Sequence, residues 1–248
     1  MTKKQERYQD LLSDFRKYLV DLQEDGVNFL PAEEINLKVS AAPSTVASAL
    51  ADDEGGDSLL SVLRYLKEKG SEIKGCQKCP LARGRKKVVF GEGGFKKRVM
   101  FIGEGPGETE DLQGRPFVGR AGKLLDKILL SVGLTREDVY ITNIVKCRPP
   151  GNRDPAAEEV IACWPYLEEQ IQQLRPRVIV ALGAPASRTL LESNRGISEL
   201  RGKIHDFQGI PLLATYHPAY LLRAYTIENR RRVWSDVQKL RDFLNHTI

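Results

Sequence analysis

All four cysteines of the chain fall in one stretch, as Cys76-x2-Cys79 followed by Cys147 and Cys163. A C-x2-C pair brings two thiolates within reach of one metal centre. Cytosolic thiols stay reduced, so disulfides account for the pattern poorly, and buried free cysteines are the plain structural alternative. Four thiolates suit either a structural zinc or an iron–sulfur cluster, both soft-ligand sites. One pair plus two isolated cysteines departs from the two-pair spacing of a zinc ribbon and leans toward the cluster, with both identities open on spacing. Pro165, two residues past Cys163, blocks regular helical hydrogen bonding and could turn the chain there.

Three further segments carry unusual residue types. Gly103-Glu104-Gly105-Pro106-Gly107-Glu108-Thr109-Glu110-Asp111 has glycines that let backbone approach a ligand closely. It lacks the Lys of a P-loop and the G-x-G-x-x-G spacing, and its carboxylates would repel phosphate, which disfavours a nucleoside triphosphate. The segment from Thr142 to Arg153 holds Asn143 and Asn152, and an Asn at a strand end can read a base edge with one donor and one acceptor. The third is His217-Pro218-Ala219-Tyr220-Leu221-Leu222-Arg223. Taken singly, each has a bland reading as turn, cap or structural histidine.

The elements that would position these segments follow from apolar periodicity. Tyr8, Leu11, Leu12, Phe15, Leu19 and Leu22 predict a helix stopped by Gly26, and residues 36–57 read as a flexible linker. A short helix follows on Leu59, Leu60, Leu63 and Leu66, closed by Gly70. Beyond residue 75 the pattern becomes strand–loop–helix. Short apolar runs at 99–102, 139–142, 178–182 and 212–216 predict strands. Helices are predicted on Ala121 to Val132, on Ala156 to Leu174 with an interruption at Pro165, and on Val233 to Leu244. Continuous apolar strands alternating with helices imply an α/β fold, a mainly parallel sheet covered on both faces. Ligands then bind outside the carboxyl ends of the strands, where the three segments lie.

The 248 residues are 41% apolar and 29% charged, which excludes collagen-like, disulfide-scaffold and wholly disordered classes. No apolar run reaches the roughly 18 residues of a membrane span. The opening MTKKQERYQDLL shows neither an apolar h-region nor a cleavage site, so a cytoplasmic location is expected. Residues 1–70 hold 9 Lys/Arg against 13 Asp/Glu, and residues 71–248 hold 29 against 20. The sign change predicts two units: a helical extension with linker over 1–70, and a larger unit over 71–248 whose basic excess suits a polyanion. The runs 83–87, 96–98 and 230–232 supply candidate phosphate contacts.

The constellation resembles the uracil-DNA glycosylase superfamily, most closely its iron–sulfur family 4 branch, over about residues 75–245. The resemblance rests on Gly103-Glu104-Gly105-Pro106-Gly107, Gly114-Arg115-Pro116-Phe117-Val118-Gly119, His217-Pro218-Ala219 and the four cysteines, in that family's order. It implies a three-layer α/β/α sandwich and a [4Fe–4S] cluster held by Cys76, Cys79, Cys147 and Cys163. It also implies that Phe117 stacks on a flipped uracil, that Asn143 bonds its O4 and N3 edge, and that His217 faces O2. Leu221 would match the wedge that fills the vacated base stack, and Glu110 would lie near C5 and exclude the thymine methyl. Asn152 joins Asn143 as a candidate substrate-binding residue. Gly105 stands where cluster-free relatives carry a water-activating Asp, a gap family 4 members share.

The chemistry agrees with the resemblance. A base inside a duplex must be flipped into a pocket before its glycosidic bond is reached. Cleavage leaves an oxocarbenium-like sugar and a uracil anion, so a donor at O2 stabilises developing charge, the part assigned to His217. A carboxylate or the DNA phosphates could stabilise the sugar cation, and Glu104 is a candidate for that part. The expected partner is uracil-containing DNA, single- or double-stranded, with no membrane and a monomeric protein. Two other classes stand beside this one: a catalytically silent iron–sulfur nucleic-acid-binding module, which release of free uracil separates, and a phosphoryl-transfer enzyme, against which the missing P-loop Lys argues.

Overall fold

The computed structural model describes residues 55–246, all within a unit spanning Asp53–Ile248. Five strands form one sheet: β1 (Val99–Gly103), β2 (Val139–Asn143), β3 (Val178–Leu182), β4 (Ile204–Phe207) and β5 (Ile210–Thr215). Their order is β2-β1-β3-β5-β4, parallel except for β4, which pairs antiparallel with β5. The helices are α1 (Gly55–Glu72), α2 (Glu108–Gln113), α3 (Arg120–Ser131), α4 (Ala157–Leu174), α5 (Ala184–Leu191), α6 (Ile197–Leu200), α7 (Pro218–Arg223) and α8 (Ile227–His246).

Every residue of β1, β2 and β3 is buried, because both faces of the sheet are covered. Alternate side chains enter opposite layers. Met100, Ile102, Ile179, Ala181 and Leu212 join a core with Leu66 of α1, Leu167 and Ile171 of α4 and Leu190 of α5. Val99, Phe101, Ile141, Val180 and Leu213 join another with Leu125 and Leu129 of α3 and Leu240 of α8. The result is the three-layer α/β/α sandwich the strand pattern implies.

Several details differ from expectation. The helix expected over 8–22, and the linker expected over 36–57 up to residue 54, lie outside the described residues; residues 55–57 open α1 rather than belonging to a linker. That helix runs past Gly70 to Glu72, and Gly70 lets it approach Phe90, whose ring atoms would lie 3.1 Å from a Cβ there. A unit boundary at residue 70 would cut away Leu66, which is 1% exposed within the main core; burying such a side chain stabilises by about 1.5–3 kcal/mol. Helix α4 is continuous through Pro165. The carbonyl that Pro165 leaves without a helical donor belongs to Ile161, a residue 72% exposed. Finally, β4 was not expected, because only Phe207 of its four residues is buried. Its signal was Gln208-Gly209, both at positive φ (52° and 82°), a two-residue hairpin turn into β5.

Candidate active site

The parallel strands all end at one edge of the sheet, and the loops leaving them enclose a cleft of about 470 Å³. Glu104, Gly105, Glu110, Phe117, Asn143, Asn152 and His217 line it together, although they span more than a hundred positions of sequence. The topology makes this possible: Gly103 and Asn143 are register partners at the ends of β1 and β2, and His217 follows two residues after β5.

Asn143 is 1% exposed, and its Oδ1 has no hydrogen-bond partner. The amide lies so close to β1 that a Cβ on Gly103 would overlap both Oδ1 and the Phe117 ring. Glycine at 103 is therefore what lets the amide and the aromatic ring occupy one corner of the cleft. Below Asn143, the backbone is anchored by Lys146, a fully buried lysine. Its Nζ donates to Thr142 Oγ1 (2.7 Å), the Asn143 carbonyl (2.8 Å) and Gln170 Oε1 (2.6 Å). Burial pulls the Lys146 ammonium down to about 7.

His217 caps α7, its Nδ1 accepting the Ala219 N–H at 3.1 Å. That bond fixes the proton on Nε2. Burial, aided by the nearby Arg223 charge, lowers the imidazole to about 4, so it is neutral at ordinary pH. A neutral ring with its one N–H left for the cleft is a donor that need not be protonated first. The Phe117 ring lies 5.5 Å from it, centroid to centroid, tilted by 33°.

Glu104 is pushed up to about 7, chiefly by burial and then by the neighbouring carboxylate of Asp154, to which it hydrogen-bonds; Arg223 opposes the shift. Asp154 sits on a loop held rigidly at the start of α4. Arg153 forks onto Glu159 at 2.8 and 2.7 Å, and Glu159 also accepts the Ala156 N–H at 2.8 Å. Asn152, at φ 55°, lines the cleft with its Oδ1 engaged by Arg148 Nε at 2.8 Å. Glu110 lines the cleft too, but its Oε1 is already taken by the N–H groups of Val118 and Gly119. At Gly105 a Cβ would lie 2.9 Å from the Val145 side chain, a packing reason for glycine where an Asp would otherwise fit the chemistry.

Leu221, the residue expected to act as the wedge, is buried. That side chain is 3% exposed and packs with Tyr216, Val233 and Val237. Counting four residues from His217 lands on the inner face of α7, because Leu221 is one helical turn from the cap. Its neighbours are the exposed ones: Tyr220 at 37%, Leu222 at 42% and, just beyond, Tyr225 at 60%. Tyr225 lies under the Arg230 guanidinium, 4.5 Å from its ring centroid. Of this stretch, Tyr220 and Arg223 line the cleft. The run 96–98 does not, since it enters β1 at the opposite end of the sheet, about 16 Å away along a five-residue strand.

All four cysteines line a second, small pocket beside α4. Three donors reach their sulfurs: Arg85 Nη1 to Cys147 (3.6 Å), Tyr166 Oη to Cys76 (3.4 Å) and the Lys146 N–H to Cys163 (3.3 Å). Burial pushes the Cys147 thiol up to about 11 and that of Cys163 upward as well, which favours their protonated forms at neutral pH. Among the described residues, no three His, Cys, Asp or Glu side chains converge on a point that would hold a single metal ion. Lys146, Arg85, Asp154, Arg223 and Tyr220 were not singled out from sequence; all but Asp154 stood in segments already marked, and nothing about Lys146 advertised burial.

A family model of the uracil DNA glycosylase superfamily matches residues 90–240. Relatives with high similarity include the type-4 uracil-DNA glycosylase of Thermotoga maritima, 49% identical over 69% of this chain and 91% of its own length. The type-4 uracil-DNA glycosylases of Saccharolobus solfataricus (45%, over 70% of this chain and 84% of its own) and Archaeoglobus fulgidus (45%, over 68% and 88%) are similar to the same degree. The order of the strand-end residues, the cleft they build and these identities agree, and the chain belongs to the type-4 branch of the uracil DNA glycosylase superfamily.

Proposed function

We infer that this protein is a DNA repair glycosylase that flips uracil out of DNA and hydrolyses the bond between C1′ and N1, leaving an abasic site. The observation that carries the reading is Asn143 Oδ1, a buried acceptor without a partner in a cleft walled by an aromatic ring. An orphaned buried acceptor costs about 1–3 kcal/mol, and a ligand N–H such as N3–H of uracil removes that cost. The amide nitrogen beside it donates to O4. Cytosine reverses both polarities, so a fixed amide rejects it.

Phe117 supplies the face on which the base stacks. His217, neutral with its proton on Nε2, donates to O2 as negative charge develops on the leaving base. Glu104, ionised above about pH 7, stabilises the cationic sugar and accepts the proton of the attacking water, with Asp154 and Arg223 tuning it. Glu110 borders the C5 side of the base. Asn152 lies on the wall beside Asp154 and contacts the flipped nucleotide, and Leu222 with Tyr225, in place of Leu221, meets the stack left open.

Cys76, Cys79, Cys147 and Cys163 hold a [4Fe–4S] cluster in this reading. An all-sulfur donor set around one pocket, with three hydrogen-bond donors and the Arg85 charge aimed at it, suits an anionic thiolate-ligated group. Bound there, the cluster supplies a covalent cross-link among the three segments that carry its ligands. The experiment is incubation of the protein with an oligonucleotide containing one deoxyuridine. Release of free uracil and an alkali-labile site are expected; an intact strand after binding would instead mark a silent module. Iron analysis of the anaerobically purified protein should give about four irons per chain, and stoichiometric zinc would overturn the cluster.

A further inference from the structure

Phe117 sits on a turn at residues 116–119 whose backbone is gripped from both sides. The carbonyls of Pro116 and Phe117 accept from Arg136, through Nη1 at 3.0 Å and through Nη2 respectively. The N–H groups of Val118 and Gly119 donate to Glu110 Oε1, each at 2.8 Å. A cation therefore holds the acceptors and an anion the donors of one short turn. The turn needs this restraint. Phe117 has φ 51°, in the left-handed region that residues other than glycine rarely occupy, and its carbonyl lies where a Cβ on Gly122 would overlap it. Such a backbone persists only where its surroundings over-determine it.

Arg136 is itself seated by two carboxylates, Glu92 Oε1 at 3.2 Å and Asp126 Oδ1 at 2.7 Å. Glu92 also receives Arg115 at both oxygens, at 2.8 and 2.9 Å. The backbone of Glu92 pairs with Ile141 of β2 through N–H···O bonds of 3.0 and 2.8 Å. Asn143 lies two residues further along that same strand. The ring that meets the face of the base and the amide that meets its edge are thus registered to one strand, by way of Glu92 and Arg136.

We propose that Arg136, with Glu110 as the opposing jaw, is a positioning residue for uracil recognition that acts through Phe117. This rests on the reading of the cleft as a uracil site. Arg136 touches no substrate atom; it holds the stacking ring where the base arrives. Lysine would keep the charge between Glu92 and Asp126 but offer a point donor in place of the fork that spans two carbonyls.

The test is a double-mutant cycle on the full chain, with excision of uracil from a single-stranded oligonucleotide and inhibition by free uracil as readouts. Arg136→Gln should raise KM and the inhibition constant of free uracil by about tenfold, the size of one base–aromatic stack, with a smaller change in kcat. In a Phe117→Ala background the same substitution should change either constant less than about twofold, because the group it positions is gone. Arg136→Lys should recover part of the loss, and it replaces the glutamine variant if that one fails a thermal-melt check. Equal losses in both backgrounds would overturn the clamp, as would a kcat effect with KM unchanged. A wild-type protein that releases no uracil would instead refute the functional reading beneath it.

Discussion

Asn143→Asp changes one atom in the cleft and separates edge reading from every other contribution. The wild-type amide offers an acceptor that the structure shows to be unpartnered and a donor beside it, in a position 1% exposed. Ionised aspartate offers acceptors only. Against uracil it still meets N3–H but sets a carboxylate oxygen against O4, losing one hydrogen bond and leaving one buried acceptor unsatisfied. At about 1–3 kcal/mol per such group, kcat/KM for uracil should fall roughly 10- to 100-fold. Against cytosine the same oxygens accept the N4 amino group, and burial raises the carboxyl enough that its acid form can also donate to N3. Discrimination between the two bases should therefore collapse, with cytosine excision rising from undetectable to measurable. The leaving base is an anion, and an ionised carboxylate beside it opposes its departure, so the variant's rate relative to the wild type should be highest on the acid side of a series from about pH 5 to pH 8. Turnover is measured on matched uracil and cytosine oligonucleotides, alongside binding to 2′-fluorinated versions that resist cleavage. If Asn143→Asp and Asn143→Ala both remove uracil at the wild-type rate, the amide does not read the base and the reasoning fails.

Three further outcomes follow from the same geometry. Glu104 is neutral below its shifted value of about 7 and cannot then accept a proton, so kcat/KM should climb about tenfold per pH unit up to that point and level off above it; Glu104→Gln should abolish this limb, and a limb that survives belongs to another group, though not to His217, which titrates near 4. Leu221→Ala should lower stability by about 2–5 kcal/mol as a core cavity does, whereas Leu222→Ala should leave the melting temperature unchanged and slow excision from duplex more than from single strands; the reverse pattern would restore Leu221 as the wedge. A chain beginning at residue 55 should keep its melting temperature and its uracil release, while one beginning at residue 73 should melt well below it for want of Leu66 and its neighbours; equal melting temperatures would show that α1 adds nothing to the core.

What the sequence disclosed and what it hid divide along physical lines. The four parallel strands were legible because a strand buried on both faces is written as an unbroken apolar run, as in Val178-Ile179-Val180-Ala181-Leu182. The strand-end residues were legible because glycine clusters and an isolated Asn or His stand out against such runs. β4 was not, since an edge strand with one buried residue has no pattern to read. Leu221 and Leu222 are adjacent and identical, and only the helical phase set by His217 as cap decides which turns inward. Lys146 was hidden for a different reason. A lysine in sequence reads as surface, and its burial depends on Gln170 of α4, 24 residues away, joining the nearby Thr142 and Asn143 as acceptors. The helix through Pro165 likewise needed knowledge of which face meets water.

The cleft also concentrates what the rest of the fold avoids. Among the described residues, the buried side-chain polar atoms without a partner are Asn143 Oδ1 and Arg230 Nε, and the first of these lies in the cleft. Beside it stand a neutral, desolvated His217, a carboxyl raised to about 7 at Glu104 and a phenylalanine at φ 51°. Each is unfavourable to folding on its own account, and each is imposed by its surroundings: burial at His217, where the Ala219 N–H fixes the tautomer, burial and then Asp154 at Glu104, Arg136 and Glu110 at Phe117. The well-bonded surroundings thus hold these groups in the geometry the substrate needs, before it arrives. In the proposed reading, a flipped uracil would give Asn143 its missing donor and His217 its acceptor at the moment charge begins to appear on O2. Because the groups need little reorganisation at that point, the interaction free energy goes to the transition state and not to assembling the site.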